Sequence, residues 1–272
     1  MKKRKWRLYL ILISIFLAFL FLPPFATLRS MAVMSVYSAY CSRNSLEKQE
    51  GFRLIIPGGM ATGERDWYPL VLFYDASQEF SMKTGTPTQL NIYYNFPAYD
   101  LWKGSSWLFE PDSPYYTGFY GAYCLKGDVP YGFQENGKLD LEEITKVLRF
   151  DLFELVLDDF GLNPAQGVFD WEMDEEQQIS YAGKDGWSRV DARITTNGAQ
   201  HSPDEFRVSY LQYGIPPDST EEFKPVTLYG RLIGQYFEEW DTSIFFYILA
   251  PDLNVLDSCD RRILSASRLE NS

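Results

Sequence analysis

The chain has 272 residues, with 25 basic and 37 acidic side chains, 46% hydrophobic and 17% aromatic residues, three cysteines and one histidine. Seven of the basic residues precede Asn44 and all 37 acidic ones follow it, so the remainder of the chain carries a net charge of −19. That field repels phosphate backbones and argues against nucleic acid as a partner. A single histidine excludes a multi-histidine metal site, and no cofactor or metal is expected.

The first element is set by Lys2, Lys3, Arg4, Lys5 and Arg7, followed by the uncharged stretch 8–28, LYLILISIFLAFLFLPPFATL. As a helix it would be roughly 31 Å long, close to the hydrocarbon thickness of a bilayer. Trp6 and Tyr9 stand where an aromatic belt would anchor the near end, and the basic cluster is expected on the cytoplasmic side. Two readings stay open. One is an uncleaved single-pass anchor. The other is a cleaved signal peptide with its apolar region over 8–22 and its polar region from Pro23-Pro24. Small-x-small sites are poor, because Pro24 stands before Ala26 and Tyr37 before Ala39 at that spacing. Tyr40 before Cys41 disfavours a bacterial lipoprotein. Both readings export the body. The expected division is a cytoplasmic basic segment 1–7, a transmembrane anchor or signal segment 8–28, a tether 29–51 and an extracytoplasmic β-rich domain 52–272.

Beyond the tether the pattern is mostly period two, as in half-buried antiparallel strands. Residues 67–74 are continuously apolar, as in a strand covered on both faces, and Pro69 restricts that strand to an edge at its start. Residues 91–96 place Ile92, Tyr94 and Phe96 on one face and Asn91, Tyr93 and Asn95 on the other. Residues 140–160 change to helical spacing, with Ile144, Val147, Leu148, Leu152, Leu155 and Val156 on a broad apolar face. Asp140 is placed to cap this helix with Glu143 returning the bond, and Leu139 to pack on Ile144. Gly161 and Pro164 end it. Residues 187–196 turn Val190, Ala192 and Ile194 inward and Arg189, Asp191 and Arg193 outward, and residues 205–213 turn Phe206, Val208 and Tyr210 inward. The tetrad Gly183-Lys184-Asp185-Gly186 and the pair Asn197-Gly198 are turn signals. Strands near 178, 190 and 208 are thus expected as a meander. Residues 244–250 read as a strand buried on both faces. The expected fold is α+β, mainly antiparallel β in sandwich-like or meander sheets. One amphipathic helix near 141–160 packs on the sheet, and a membrane helix precedes the body.

Several constellations have a chemical reading. Asn136 to Glu143 matches the second half of a calcium loop, with Gly137 at the sharp turn and Glu143 at the bidentate position. Gly132 and Gln134 stand where the first ligands would be, so helix capping explains the same letters. Asp170-Trp171-Glu172-Met173-Asp174-Glu175-Glu176 is the densest acidic cluster. On a strand, Glu172, Asp174 and Glu176 would share a face, where carboxylates raise one another's pKa. Their order resembles the active-site strand of jelly-roll glycosidases related to the laminarinases, except that Glu175 replaces an apolar residue. The resemblance implies glycan hydrolysis by that carboxylate set.

Between Tyr93 and Tyr123 aromatic rings are dense and interrupted by Gly, Pro and Ser. Trp102, Trp107, Tyr115 and Tyr116 are the candidates for an exposed ligand platform. Cys124 and Cys259 are a disulfide candidate in an oxidising compartment. His201 lacks a nucleophile elbow, and the Gly-rich stretch 57–63 lacks the Lys-Ser/Thr of a phosphate loop. Together these features favour a membrane-anchored extracytoplasmic binding or interaction domain, non-enzymatic, for an envelope glycan or protein. The alternatives are a hydrolase using Glu172, Asp174 and Glu176, and a structural subunit of an envelope assembly.

Overall fold

The computed structural model describes residues 2–21, 36, 38–56, 70–96, 99–100, 105–106, 119–157, 163–197, 225–262 and 264–272. The expected strand at 205–213, His201, and the Gly-rich stretch 57–63 lie outside them.

Helix α1 spans Lys2–Phe21. From Leu8 onward it carries no charge, and its large apolar side chains over 8–17 are exposed. Among the described residues no helix is long and apolar enough to cross a membrane. The uncharged part, Leu8–Phe21, would reach roughly 21 Å against roughly 30 Å of hydrocarbon. Residues 22–28 of the expected span lie outside the described residues.

The expected tether differs from what forms. A single helical turn covers Ser42–Asn44, and helix α2 covers Leu46–Glu50. Leu46 is fully buried, and its N–H donates to Asn91 Oδ1 at 2.7 Å. The polar letters of 42–51 therefore belong to a docked segment, whose one apolar residue reaches the core. Gly51, at φ 74°, ends α2 in the left-handed region and starts strand β1 (Phe52–Ile55).

Next come β2 (Leu70–Asp75), α3 (Ser77–Thr84), β3 (Gln89–Phe96), the short pair β4 (Tyr99–Asp100) and β5 (Ser105–Ser106), and β6 (Phe119–Lys126). Helix α4 (Leu141–Arg149) continues into a π-helical stretch, Phe150–Leu157. Strands β7 (Phe169–Met173), β8 (Gln177–Tyr181), β9 (Lys184–Thr196), β10 (Val226–Phe237) and β11 (Thr242–Ala250) follow, then α5 (Leu253–Arg262) and β12 (Arg268–Asn271).

The body is α+β with mostly antiparallel strands. Eight strands form one sheet in the order β2-β3-β6-β11-β10-β9-β7, with β8 also paired to β9. β2 is its edge, as Pro69 suggests, and β11 is central and buried along its whole length. Alternation along β11 divides the core. Ile244, Phe246 and Ile248 face one side, and Phe245 and Tyr247 face the other. The first side is covered by α5 through Val255, Leu256 and Cys259, and by a small second sheet of β1 and β12. Phe52 of β1 stacks on Trp240 at 4.9 Å, which gives this side a sandwich-like layer. The other side is covered by Phe80 of α3 and by Ile144, Val147 and Leu148 of α4. Each such side chain contributes about 1.5–3 kcal/mol on burial.

Helix α4 starts as its sequence predicts, with one difference. Asp140 Oδ1 accepts the N–H groups of Glu142 and Glu143 at 3.1 and 3.2 Å, satisfying two donors that the first turn leaves open. Glu143 does not return the bond. The Asp140 N–H is already taken by the Gly132 carbonyl at 2.7 Å, and the Glu143 carboxylate holds Lys146 at 2.5 Å. The turn joining β8 to β9 lies one residue earlier than the Gly183 tetrad suggests. Ala182 and Gly183, at φ 49° and 77°, supply the two left-handed residues that a tight hairpin requires, and Lys184–Gly186 joins β9. On its opposite edge β9 pairs with β10, which has no clear polar–apolar alternation because its middle is buried on both faces.

Candidate functional site

The three acidic residues occupy different situations. β7 ends at Met173 and β8 starts at Gln177, so no single strand carries Glu172, Asp174 and Glu176 on one face. Glu172 is exposed and lies in register opposite Arg193. Asp174 is exposed, and its backbone N–H donates to the Asp191 carbonyl at 2.8 Å. Glu176 is half-buried and accepts the Ser188 hydroxyl at 2.7 Å and the Leu139 N–H at 3.3 Å. Its carboxylate fastens β9 to the start of α4.

Cys124 and Cys259 are free thiols, not a disulfide, and both are buried in the same apolar cluster beneath α5. Burial pushes the pKa of both thiols up, with the Glu47 carboxylate adding to the rise at Cys124 and the Asp260 carboxylate at Cys259. Trp102, Trp107, Tyr115 and Tyr116 lie outside the described residues. Those aromatics of the same segment whose burial is described, Tyr93, Tyr94, Tyr120 and Tyr123, are buried or half-buried sheet residues. The calcium-like loop closes on itself as a hairpin. Phe133 bridges to Leu139, Asn136 Oδ1 accepts the Lys138 N–H at 2.9 Å, and Gly137 turns at φ 79°.

Among the described residues a concavity lies elsewhere, between α3, the loop 127–131 and α4. It is a cleft of about 590 Å³, within the size range of small-molecule sites. At its floor lies the half-buried ring of Tyr131, backed by the buried Phe80 and Phe150. Phe80 stands edge-on to Tyr131 at 6.0 Å and to Phe150 at 5.1 Å. The rim is charged but matched. Lys83 pairs with Glu154 at 2.7 Å and Lys146 with Glu143 at 2.5 Å. Arg149 donates to the Gly167 carbonyl at 3.0 Å, and its guanidinium lies 5.2 Å from the centre of the Phe153 ring. The Tyr131 hydroxyl donates to the Glu143 carbonyl at 3.3 Å, and burial followed by the Glu143 charge pushes this phenol well above its usual pKa.

Local sequence shapes one wall of the cleft. Gly85, at φ 71°, ends α3, and the chain turns back through Thr86-Pro87. The Ser81 hydroxyl clamps that turn, donating to the Thr88 carbonyl at 2.9 Å and accepting the Thr88 N–H at 3.0 Å. Helix α3 is absent from the sequence reading. Its signals are Lys83 in the last turn, Gly85 just past the end and Pro87 two residues on.

Beneath the cleft, the residue after Phe150 is a buried acid. Asp151 is 1% exposed and accepts the hydroxyls of Tyr94 and, at 2.6 Å, Tyr123. Burial raises its pKa to about 6, partly offset by the bonds from Tyr123 and Tyr94. No protein family, no curated protein and no solved structure matches the chain.

Proposed function

We propose that this chain is a membrane-tethered, extracytoplasmic binding protein that takes a neutral envelope glycan in the cleft between α3 and α4. The observation that carries the reading is the pairing of an aromatic floor with a charge-matched rim. Sugar rings present apolar C–H faces to aromatic side chains, and their hydroxyls bond to charged and amide groups at the edge. Every cationic side chain of the rim is already engaged by an acid or a carbonyl, which disfavours an anionic polymer.

Isothermal calorimetry of the full chain in detergent, titrated with N-acetylglucosamine oligomers of one to six units, tests the reading. Saturable binding is expected, and Val129→Trp should abolish it, because Val129 is 70% exposed and lines the cleft. Absence of binding at every length, or binding that ignores Val129→Trp, would overturn the proposal.

Membrane attachment is supported by the uncharged stretch 8–28, the five basic residues before it, and the exposed apolar side chains of α1 over 8–17. After alkaline washing the chain should remain with the membrane fraction, or, if the segment is cleaved, its body should be found outside the cell. Recovery of the intact body in the cytosol would contradict export.

A further inference from the structure

A second hollow of about 570 Å³ adjoins the first, and Thr88, Gly127 and Asp128 line both. Its chemistry is different. Gln49, Gln78, Gln89, Ser77 and Ser81 line it with side-chain amides and hydroxyls and no aromatic ring. The cation among its described residues, Lys126, is held by Glu50 at 2.9 Å and Asp241 at 3.2 Å. At the junction Thr88 is 3% exposed, and its hydroxyl has no hydrogen-bond partner among the described residues.

We propose that the two hollows form one elongated groove, and that its ligand is a linear neutral oligosaccharide with sugar units in both. This rests on the binding role assigned above to the aromatic cleft. One sugar stacks against the aromatic floor around Tyr131. The next units cross the Thr88–Asp128 saddle and present hydroxyls to the glutamine amides. A glutamine amide donates and accepts at once, as a sugar hydroxyl does, so the two match without any charge. An extended peptide would call for apolar side-chain pockets or an open strand edge. The second hollow is lined by polar side chains and, apart from Pro87 and Gly127, by nothing else.

The same calorimetric ladder tests the groove. Affinity should rise roughly tenfold between two units and four, the worth of one or two added hydrogen bonds. The double variant Gln78→Ala with Gln89→Ala, altered only in the second hollow, should bind one or two units as the wild type does. It should lose the gain with length. If wild-type affinity is flat with length while Val129→Trp still blocks binding, the groove fails and the cleft stands. If the double variant keeps the full gain, the groove fails as well. If no oligomer binds, both readings fall.

Discussion

Arg231 on β10 and Asp260 on α5 meet at 2.6 Å in a seam where the arginine side chain is only 6% exposed. The same guanidinium grips Asp191 of β9 with two bonds, at 2.8 and 2.9 Å, and reaches Asp257 at 3.1 Å. Tyr181 donates to the other Asp260 oxygen at 2.7 Å. This cluster is the polar fastening between α5 and the sheet. Arg231→Met removes the cation and leaves Asp260 with only the Tyr181 hydroxyl and Asp191 with only Arg189. A loss of about 3–5 kcal/mol is expected in urea unfolding, the cost of an uncompensated buried charge. A loss below about 1 kcal/mol would mean that water reaches the seam.

Acid should loosen the same fastening. Burial works against ionisation of Asp191, but the bonds from Arg231 and Arg189 outweigh it and hold the pKa at about 2. A carboxylate with a lowered folded pKa contributes stability above its unfolded pKa and loses it as pH falls. Thermal midpoints should therefore decline as pH drops from about 4 towards 2. In Asp191→Asn that portion of the decline should be missing.

Asp151 works in the opposite sense. Its folded pKa, about 6, lies above the ordinary value of 3.8. The protonated form is the one the fold prefers, so this group's contribution is complete below about pH 4 and is lost as pH rises through 6. The shift corresponds to roughly 3 kcal/mol at most. Asp151→Asn keeps the shape and removes the ionisation. It should be more stable than the wild type at pH 7.5 and equal to it near pH 4, measured by urea unfolding at both values. A variant less stable at both values would show that the two tyrosine bonds need the carboxylate itself.

Thiol chemistry checks the cysteines. In the native protein only the half-buried Cys41 should react with a thiol reagent such as Ellman's, while Cys124 and Cys259 are shielded. Unfolding without reductant should release all three. Recovery of only one thiol after unfolding would mean that Cys124 and Cys259 are paired.

Gly121 is a packing constraint rather than a turn. A methyl group there would strike the Tyr93 carbonyl oxygen of the neighbouring strand and crowd the Tyr247 ring. Backbone cannot yield as a flexible side chain does, so Gly121→Ala should cost several kcal/mol or prevent folding. Soluble expression and the thermal midpoint read this directly.

How much of this was legible depends on what each residue had to satisfy. Val190, Ala192 and Ile194 face the core as their alternation says, because β9 has one apolar face. Asp140 caps α4 because its carboxylate stands within reach of the open Glu142 and Glu143 N–H groups. Strand β10 stayed hidden because Arg231 sits among residues buried on both faces, and burial of an arginine depends on aspartates 40 and 29 positions away. The cleft was illegible for a similar reason. Lys83, Tyr131 and Phe150 are ordinary letters in three separate segments, and only the fold of the sheet brings them together. Glu172, Asp174 and Glu176 show the converse. Adjacent letters suggested one site, but the break between β7 and β8 keeps the three off a single strand face, with Glu172 and Asp174 exposed and Glu176 tied to Ser188 and Leu139.

The ladder between β1 and β12 has a practical corollary. Phe52 pairs with Asn271, and the Ser272 N–H donates to the Gly51 carbonyl at 2.9 Å. The point at which the chain comes in from α2 is thus tied to Ser272. A fluorescent reporter or an affinity handle joined after Ser272 would emerge beside α2. For imaging or purification, an insertion at the exposed tip of the β8–β9 hairpin, around Gly183, would leave that tie undisturbed.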